Sequence, residues 1–217
     1  MGRTGRPLLF QGNEKIGESI HRFDLPAVVT CPGRSADCER VCYAKSGRYH
    51  FAKVRERLEW CYEQSKQSDF AELVSAEIRQ RGVLVLRLHC SGDLYDAEYA
   101  KKWLSVMRRF PRVRFYLYTR SYRVPEIAEV LKEMAALRCC RVWFSIDKGT
   151  GVPGEVPAGV RLAYLQTDAV EHPAEADLVF RVRKLRTLAS LPIVCAAETV
   201  EGKAEGVSCG SCARCFH

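Results

Sequence analysis

The 217 residues, 47% of them hydrophobic, suffice for one sizeable domain with its own core, so the fold needs no disulfide scaffold. No run approaches the roughly 18 apolar residues of a membrane span. The opening MGRTGRPLLF carries no secretory apolar stretch, and Arg6 stands where a myristoylation signal needs Ser or Thr. The chain is therefore expected to be cytoplasmic, with no membrane partner. Its 34 basic and 26 acidic residues leave a formal charge of +8, which points to an anionic substrate or nucleic acid as partner.

Residues 1–26 are polar, rich in Gly and Arg, and read as an irregular N-terminal arm. Ala27 to Thr30 (AVVT) reads as a short strand running into Cys31. Residues 49–67 carry Phe51, Val54, Leu58, Cys61 and Tyr62 at helical spacing. A second helix opens at Asp69, with Phe70, Leu73, Val74 and Ile78 on one face. VLVLRLH (83–89) is a strand that ends at CSGD, and Asp96 then caps a helix carrying Ala100, Trp103, Leu104 and Met107. RFYLYTR (114–120) is a strand, Pro125 opens a helix with Ile127, Val130, Leu131 and Met134, and RVWFSID (141–147) is the next strand. GVRLAYLQ (159–166), DLVFRV (177–182) and PIVCA (192–196) are shorter candidates. The tail, 198–217, is polar and Gly-rich and is expected to order around a ligand.

Strands alternating with helices imply parallel pairing through right-handed crossovers. Five or six such units within 27–197 predict a partial β/α barrel, with an open doubly wound sheet as the alternative. Either places functional residues at the carboxyl ends of strands. Cys31, Ser91-Gly92-Asp93, Thr119-Arg120-Ser121, Asp147-Lys148 and Gln166-Thr167 all fall at such ends.

Seven of the eleven cysteines form two groups, and grouped cysteines in a reducing compartment bind metal more often than they pair. Cys209, Cys212 and Cys215, with two residues between neighbours, follow the spacing of ferredoxin-type iron–sulfur ligands, and Cys195 would complete four. A four-cysteine zinc site is the alternative metal. Cys31, Cys38 and Cys42 have six and then three residues between them. Three thiolates would leave a cluster with one open position, unless His21, His50 or Cys61 closes it. Cys61, Cys139 and Cys140 read as core residues; Cys90, beside SGD, is open between core and site.

The ordered segments CPGRSADCERVCYAKSGRYHF, LRLHCSGDLYDAEYAKKWL, VRFYLYTRSYRVPEI and VWFSIDKGTGVP, closed by the cysteine tail, resemble the phage- and plasmid-encoded gene product eighty-eight family from about residue 20 onward. The layout of that family resembles radical S-adenosylmethionine enzymes. The resemblance implies a [4Fe-4S] site on Cys31, Cys38 and Cys42, with Tyr43 as a neighbouring aromatic. It implies cofactor contacts at Ser91, Gly92 and Asp93, and an auxiliary [4Fe-4S] cluster on Cys195, Cys209, Cys212 and Cys215. From their strand-end positions Asp93 and Arg120 are expected to position the ligand, and Asp147 either to join them or to pair with Lys148 or Arg120; a redox enzyme would need an electron donor. Two departures accompany it. The cysteine spacing is wider than the usual radical-enzyme spacing, and the turn has Asp93 where Glu is usual.

GTGVPG (149–154) fits a dinucleotide fingerprint by letter, yet the prolines around it cannot open the required helix. RFYLYTRSYR interleaves aromatic residues with arginines, which suits either a packed strand or a platform for single-stranded nucleic acid. The competing reading of the whole chain is accordingly a nucleic-acid-binding module braced by iron–sulfur or zinc sites.

Overall fold

The computed structural model describes residues 5–170, 172–189 and 191–217. Among them are seven strands: β1 (Phe10–Gln11), β2 (Ile20–Phe23), β3 (Val85–Leu88), β4 (Arg114–Thr119), β5 (Cys140–Asp147), β6 (Val160–Gln166) and β7 (Leu178–Arg181). They form one sheet in sequence order, with β1 antiparallel to β2 and every later neighbour parallel. The helices are α1 (Ala36–Arg40), α2 (Ala52–Lys66), α3 (Phe70–Arg81), α4 (Ala97–Arg109), α5 (Pro125–Ala135), α6 (Val200–Ala204) and α7 (Cys209–Cys212).

Alternation along the strands sorts residues onto two faces. Leu86, Leu88, Phe115, Leu117, Val142, Phe144 and Ile146 share a core with α2 to α5. Its centre is aromatic: Phe23 meets Phe70 and Trp103 edge-on at centroid distances of 5.3 and 5.4 Å. Burying each such ring contributes roughly 1.5–3 kcal/mol. Tyr116, Trp143, Ala163 and Leu178 point to the opposite face, where they pack with Cys195, Cys209, Cys215 and Phe216 of the C-terminal segment. α4 begins where Asp96 accepts a hydrogen bond from the Tyr99 N–H, and α5 begins with Pro125 in its first turn, as the sequence predicts.

The expected partial barrel is not what forms: the sheet is open. Helices cross over only as far as β5; among the described residues no helix lies between β5 and β6 or between β6 and β7. The C-terminal segment lies on the face a barrel would enclose, and the far edge of β7 takes only a bridge from Val194. PIVCA is thus a single bridge, not a strand. The parallel sheet also starts earlier than expected, because β2 falls inside the supposed arm. AVVT forms turns: Val28 adopts φ 71 and Thr30 Oγ1 donates to the Pro26 carbonyl at 2.6 Å, which no strand allows. Among the described residues no helix is long and apolar enough to cross a membrane.

Candidate metal centre

The chain leaves β2 through turns and reaches Cys31, then α1, which carries Cys38 and ends just before Cys42. Ser35 caps α1: its Oγ accepts from the Cys38 N–H at 3.0 Å and donates to Asp147 Oδ2 at 2.5 Å. That same oxygen pairs with Arg120 Nη1 at 2.9 Å, and the guanidinium also donates to the Ser145 carbonyl. The other carboxylate oxygen of Asp147 accepts from the Gly149 and Thr150 N–H groups, both at 3.0 Å. Arg123 donates to the Gly33 carbonyl at 3.0 Å. Gly33 packs so tightly that a Cβ would lie 1.9 Å from the Arg120 carbonyl oxygen. The three-cysteine loop is therefore clamped onto the carboxyl ends of β4 and β5.

The end of β3 supplies the next wall. At Gly92, φ 78, a Cβ would fall 2.5 Å from Leu25 Cβ and 2.6 Å from Thr30 Oγ1, which leaves no room for a side chain. Ser91 Oγ donates to the Leu25 carbonyl, and Asp93 accepts from the Leu94 and Arg120 N–H groups, each at 2.8 Å. Both Asp93 oxygens thus serve the backbone, which makes Asp93 a brace between β3 and β4. The Tyr43 hydroxyl donates to the Cys90 carbonyl, although the residue as a whole is exposed. Burial holds Asp93 above the usual carboxylate range against those hydrogen bonds. Burial, with Asp93 adding to it, pushes the Cys31 thiol up to about 12. Burial raises Cys38 as well, opposed by the Arg120 guanidinium beside it.

The second group lies on the tail face. Cys209 and Gly210 donate their N–H groups to the Lys15 and Ile16 carbonyls at 2.8 and 3.0 Å. Trp143 Nε1 donates to the Cys215 carbonyl at 3.0 Å, and Arg214 donates to the Pro192 and Asp177 carbonyls. The tail is thus docked by its own hydrogen bonds, beyond the expectation that a ligand orders it. Cys195, Cys209 and Cys215 are buried together, whereas Cys212 is exposed at the rim. Burial pushes Cys195 up to about 12, with Lys15 opposing. Burial also raises Cys215, which the Tyr118 hydroxyl faces.

Among the described residues no three His, Cys, Asp or Glu side chains converge tightly enough to hold a single metal ion. A cubane cluster spaces its thiolates more widely than one ion does, and neutral thiols have no attraction that would draw them closer. The donor sets fit such a group in kind: burial acts on Cys31 and Cys38 at one site and on Cys195 and Cys215 at the other, with Arg120 beside the first and Lys15 beside the second. Two of the proposed closing ligands, His21 and Cys61, do not join the first site. His21 sits by Arg81 and Glu77 and is lowered by burial, and Cys61 is in the helix-side core. Cys139 and Cys140 are core residues, as expected. GTGVPG lies in a loop that opens no helix.

Sequence reasoning missed Ser35, whose place before Ala-Asp-Cys-Glu is a helix-cap signal. It also missed Arg87, a charged residue at an inward strand position. The aromatic–arginine strand is packed: Phe115, Tyr116 and Leu117 are fully buried, with the C-terminal segment against Tyr116.

An open, mostly parallel α/β sheet with one cysteine group at its strand ends and another on one face defines the class. The chain belongs to the gene product 88 family, whose model matches residues 7–217. It is 24% identical over 224 residues to the Gene 88 protein of Mycobacterium phage D29, covering 95% of this chain and 86% of that protein. It is 26% identical over 190 residues to the Gene 88 protein of Mycobacterium phage L5, covering 78% and 75%. No solved structure matches the chain.

Proposed function

We propose that this is an iron–sulfur redox protein of radical-enzyme type. Cys31, Cys38 and Cys42 would hold a reactive [4Fe-4S] cluster with one iron open to a ligand, and Cys195, Cys209, Cys212 and Cys215 an auxiliary one. The observation that carries this reading is the clamp from Ser35 through Asp147 to Arg120. It fixes a three-thiol loop at the strand ends, where parallel α/β sheets place their chemistry. When bound, the open cluster would supply one-electron chemistry to a ligand at its free position.

The chain's own residues do the rest. Ser35 and Asp147 hold the loop's register, and Arg120 sets a cation beside Cys38 that offsets thiolate charge. Asp93 locks the ends of β3 and β4 together. A cleft of about 300 Å³ opens next to Asp147, lined by Lys148, Val152, Tyr164 and His172 among others, and offers room for a small substrate. Lys148 at its edge suits an anionic group. Contact between S-adenosylmethionine and Ser91, Gly92 and Asp93 is the finer part of the reading. It is supported by sequence resemblance, and with Asp93 engaged it would fall to backbone groups of the turn. A redox enzyme of this kind also needs an electron donor.

The test is anaerobic purification followed by absorbance, iron, sulfide and zinc analysis, then addition of S-adenosylmethionine to the reduced protein. Iron with matching sulfide supports the reading, and cleavage of S-adenosylmethionine supports its finer part. Zinc without iron contradicts both.

A further inference from the structure

Arg87 lies at the centre of β3 on the tail face, and among the described residues no carboxylate pairs with it. Its register neighbours are Arg22 on β2 and Tyr116 on β4. Two arginines therefore stand side by side, an arrangement that is repulsive unless each finds an anion. Arg22 has one in Asp24. Arg87 does not: its Nε is buried without a hydrogen-bond partner, and its guanidinium lies 5.8 and 5.3 Å from the Tyr116 and Tyr118 ring centres. Other titratable groups near it include Cys90, Tyr43, Tyr49, His89, Cys209 and Cys215. The Tyr116 hydroxyl is also buried without a partner, and Tyr118 turns its hydroxyl toward the Cys215 sulfur. Tyr116, against which Arg87 packs, shares its buried cluster with Cys195, Cys209 and Cys215 of the tail, so the unpaired cation lies beside the tail cysteines.

We propose that Arg87 is the fixed counter-charge of the tail metal–thiolate centre, a positioning residue that the cysteine ligands balance only when they are metal-bound thiolates. The inference rests on the metal-binding reading of the tail. A centre ligated by thiolates carries net negative charge, and charge and hydrogen bonds near the sulfurs tune its affinity and potential. Protonated thiols cannot neutralise a guanidinium, so the metal-free protein carries a partly buried cation with no anionic partner among the described residues. Removing that cation should therefore weaken the metal-loaded protein and relieve the stripped one. A residue that only fills space would weaken both.

The experiment compares wild type, Arg87→Met and Arg87→Lys as isolated anaerobically and after stripping with a chelator, reading melting temperature and metal release rate. The expected result is a crossing. Loaded Arg87→Met melts below loaded wild type and releases metal at least tenfold faster, whereas stripped Arg87→Met melts at or above stripped wild type. Arg87→Lys, which keeps the charge, follows wild type in both states. A parallel drop in both states, no change in either, or an Arg87→Met chain that folds in neither overturns the proposal and leaves the metal reading intact. A wild-type protein that contains no metal and whose melting temperature ignores the chelator defeats the metal reading itself, and the proposal with it.

Discussion

Arg120 and Asp147, at the ends of adjacent strands β4 and β5, form an ion pair at 2.9 Å with both side chains almost wholly removed from water. Such a pair is stable only because its remaining groups are satisfied, by Ser145, Ser35, Gly149 and Thr150. The four partners join two strand ends, a loop and the helix that carries Cys38. The pair is thereby the joint between the sheet and the three-cysteine loop.

Breaking one side of that joint leaves an uncompensated buried charge. Arg120→Met and Asp147→Asn should each cost about 3–5 kcal/mol in urea unfolding. The double variant should cost clearly less than the sum, because it leaves neither charge behind. Additive losses would show that the two groups act separately.

Ser35 reaches both the α1 backbone and Asp147, so Ser35→Ala removes a helix cap and a buried hydrogen bond at once. The expected loss is about 1–2 kcal/mol, with metal content falling at the first site only. Metal analysis in a background where the tail cysteines are replaced by serine reads that site alone. Unchanged content would mean the loop keeps its shape without the cap.

Gly33 touches backbone, which cannot swing aside. Gly33→Ala should push the loop off β4, because its Cβ would fall 1.9 Å from the Arg120 carbonyl oxygen. The sheet should still fold, with the near-native far-ultraviolet spectrum kept and the first site's metal lost. Retention of wild-type metal would contradict the close docking described here.

His89 is buried, bonded through Nε2 to the Tyr99 hydroxyl at 2.8 Å, and burial with Arg87 nearby lowers its pKa to about 3. Its ordinary value is about 6.5, so the unfolded chain takes up the proton first and the neutral ring favours the fold. That contribution is full above pH 6.5 and is lost as pH falls toward 3, at up to about 1.4 kcal/mol per pH unit. His89 sits at φ 61, a conformation Asn also tolerates. His89→Asn should therefore flatten the stability profile between pH 6 and 3. An unchanged acid slope, measured by urea midpoints, would falsify this assignment.

The helices and the strands from β3 to β7 were legible because their periodicities are long and regular. RFYLYT and RVWFSID alternate cleanly, and α4 and α5 carry their start signals. β2 was hidden because IHRF is short and half charged, and its pairing with β3 is set by residues more than sixty positions away. AVVT misled because β-branched residues favour strands, whereas Val28 takes a left-handed turn there. The cysteine groups were visible from spacing alone. Their attachments were not: Ser35 and Asp147 are 112 positions apart, and Trp143 and Cys215 are 72 apart. Closure of the sheet failed as an expectation because repeat counting cannot see that the tail occupies the face a barrel would enclose.

On the proposed reading each cysteine group would hold its own iron–sulfur cluster. The measurement that tests it most directly is iron and acid-labile sulfide per chain, taken anaerobically on wild type and on Cys31→Ser/Cys38→Ser/Cys42→Ser. The account predicts about eight of each in wild type and about four in the variant, as two cubane clusters require. Zinc in place of iron, or a variant that holds as much iron as wild type, would contradict it.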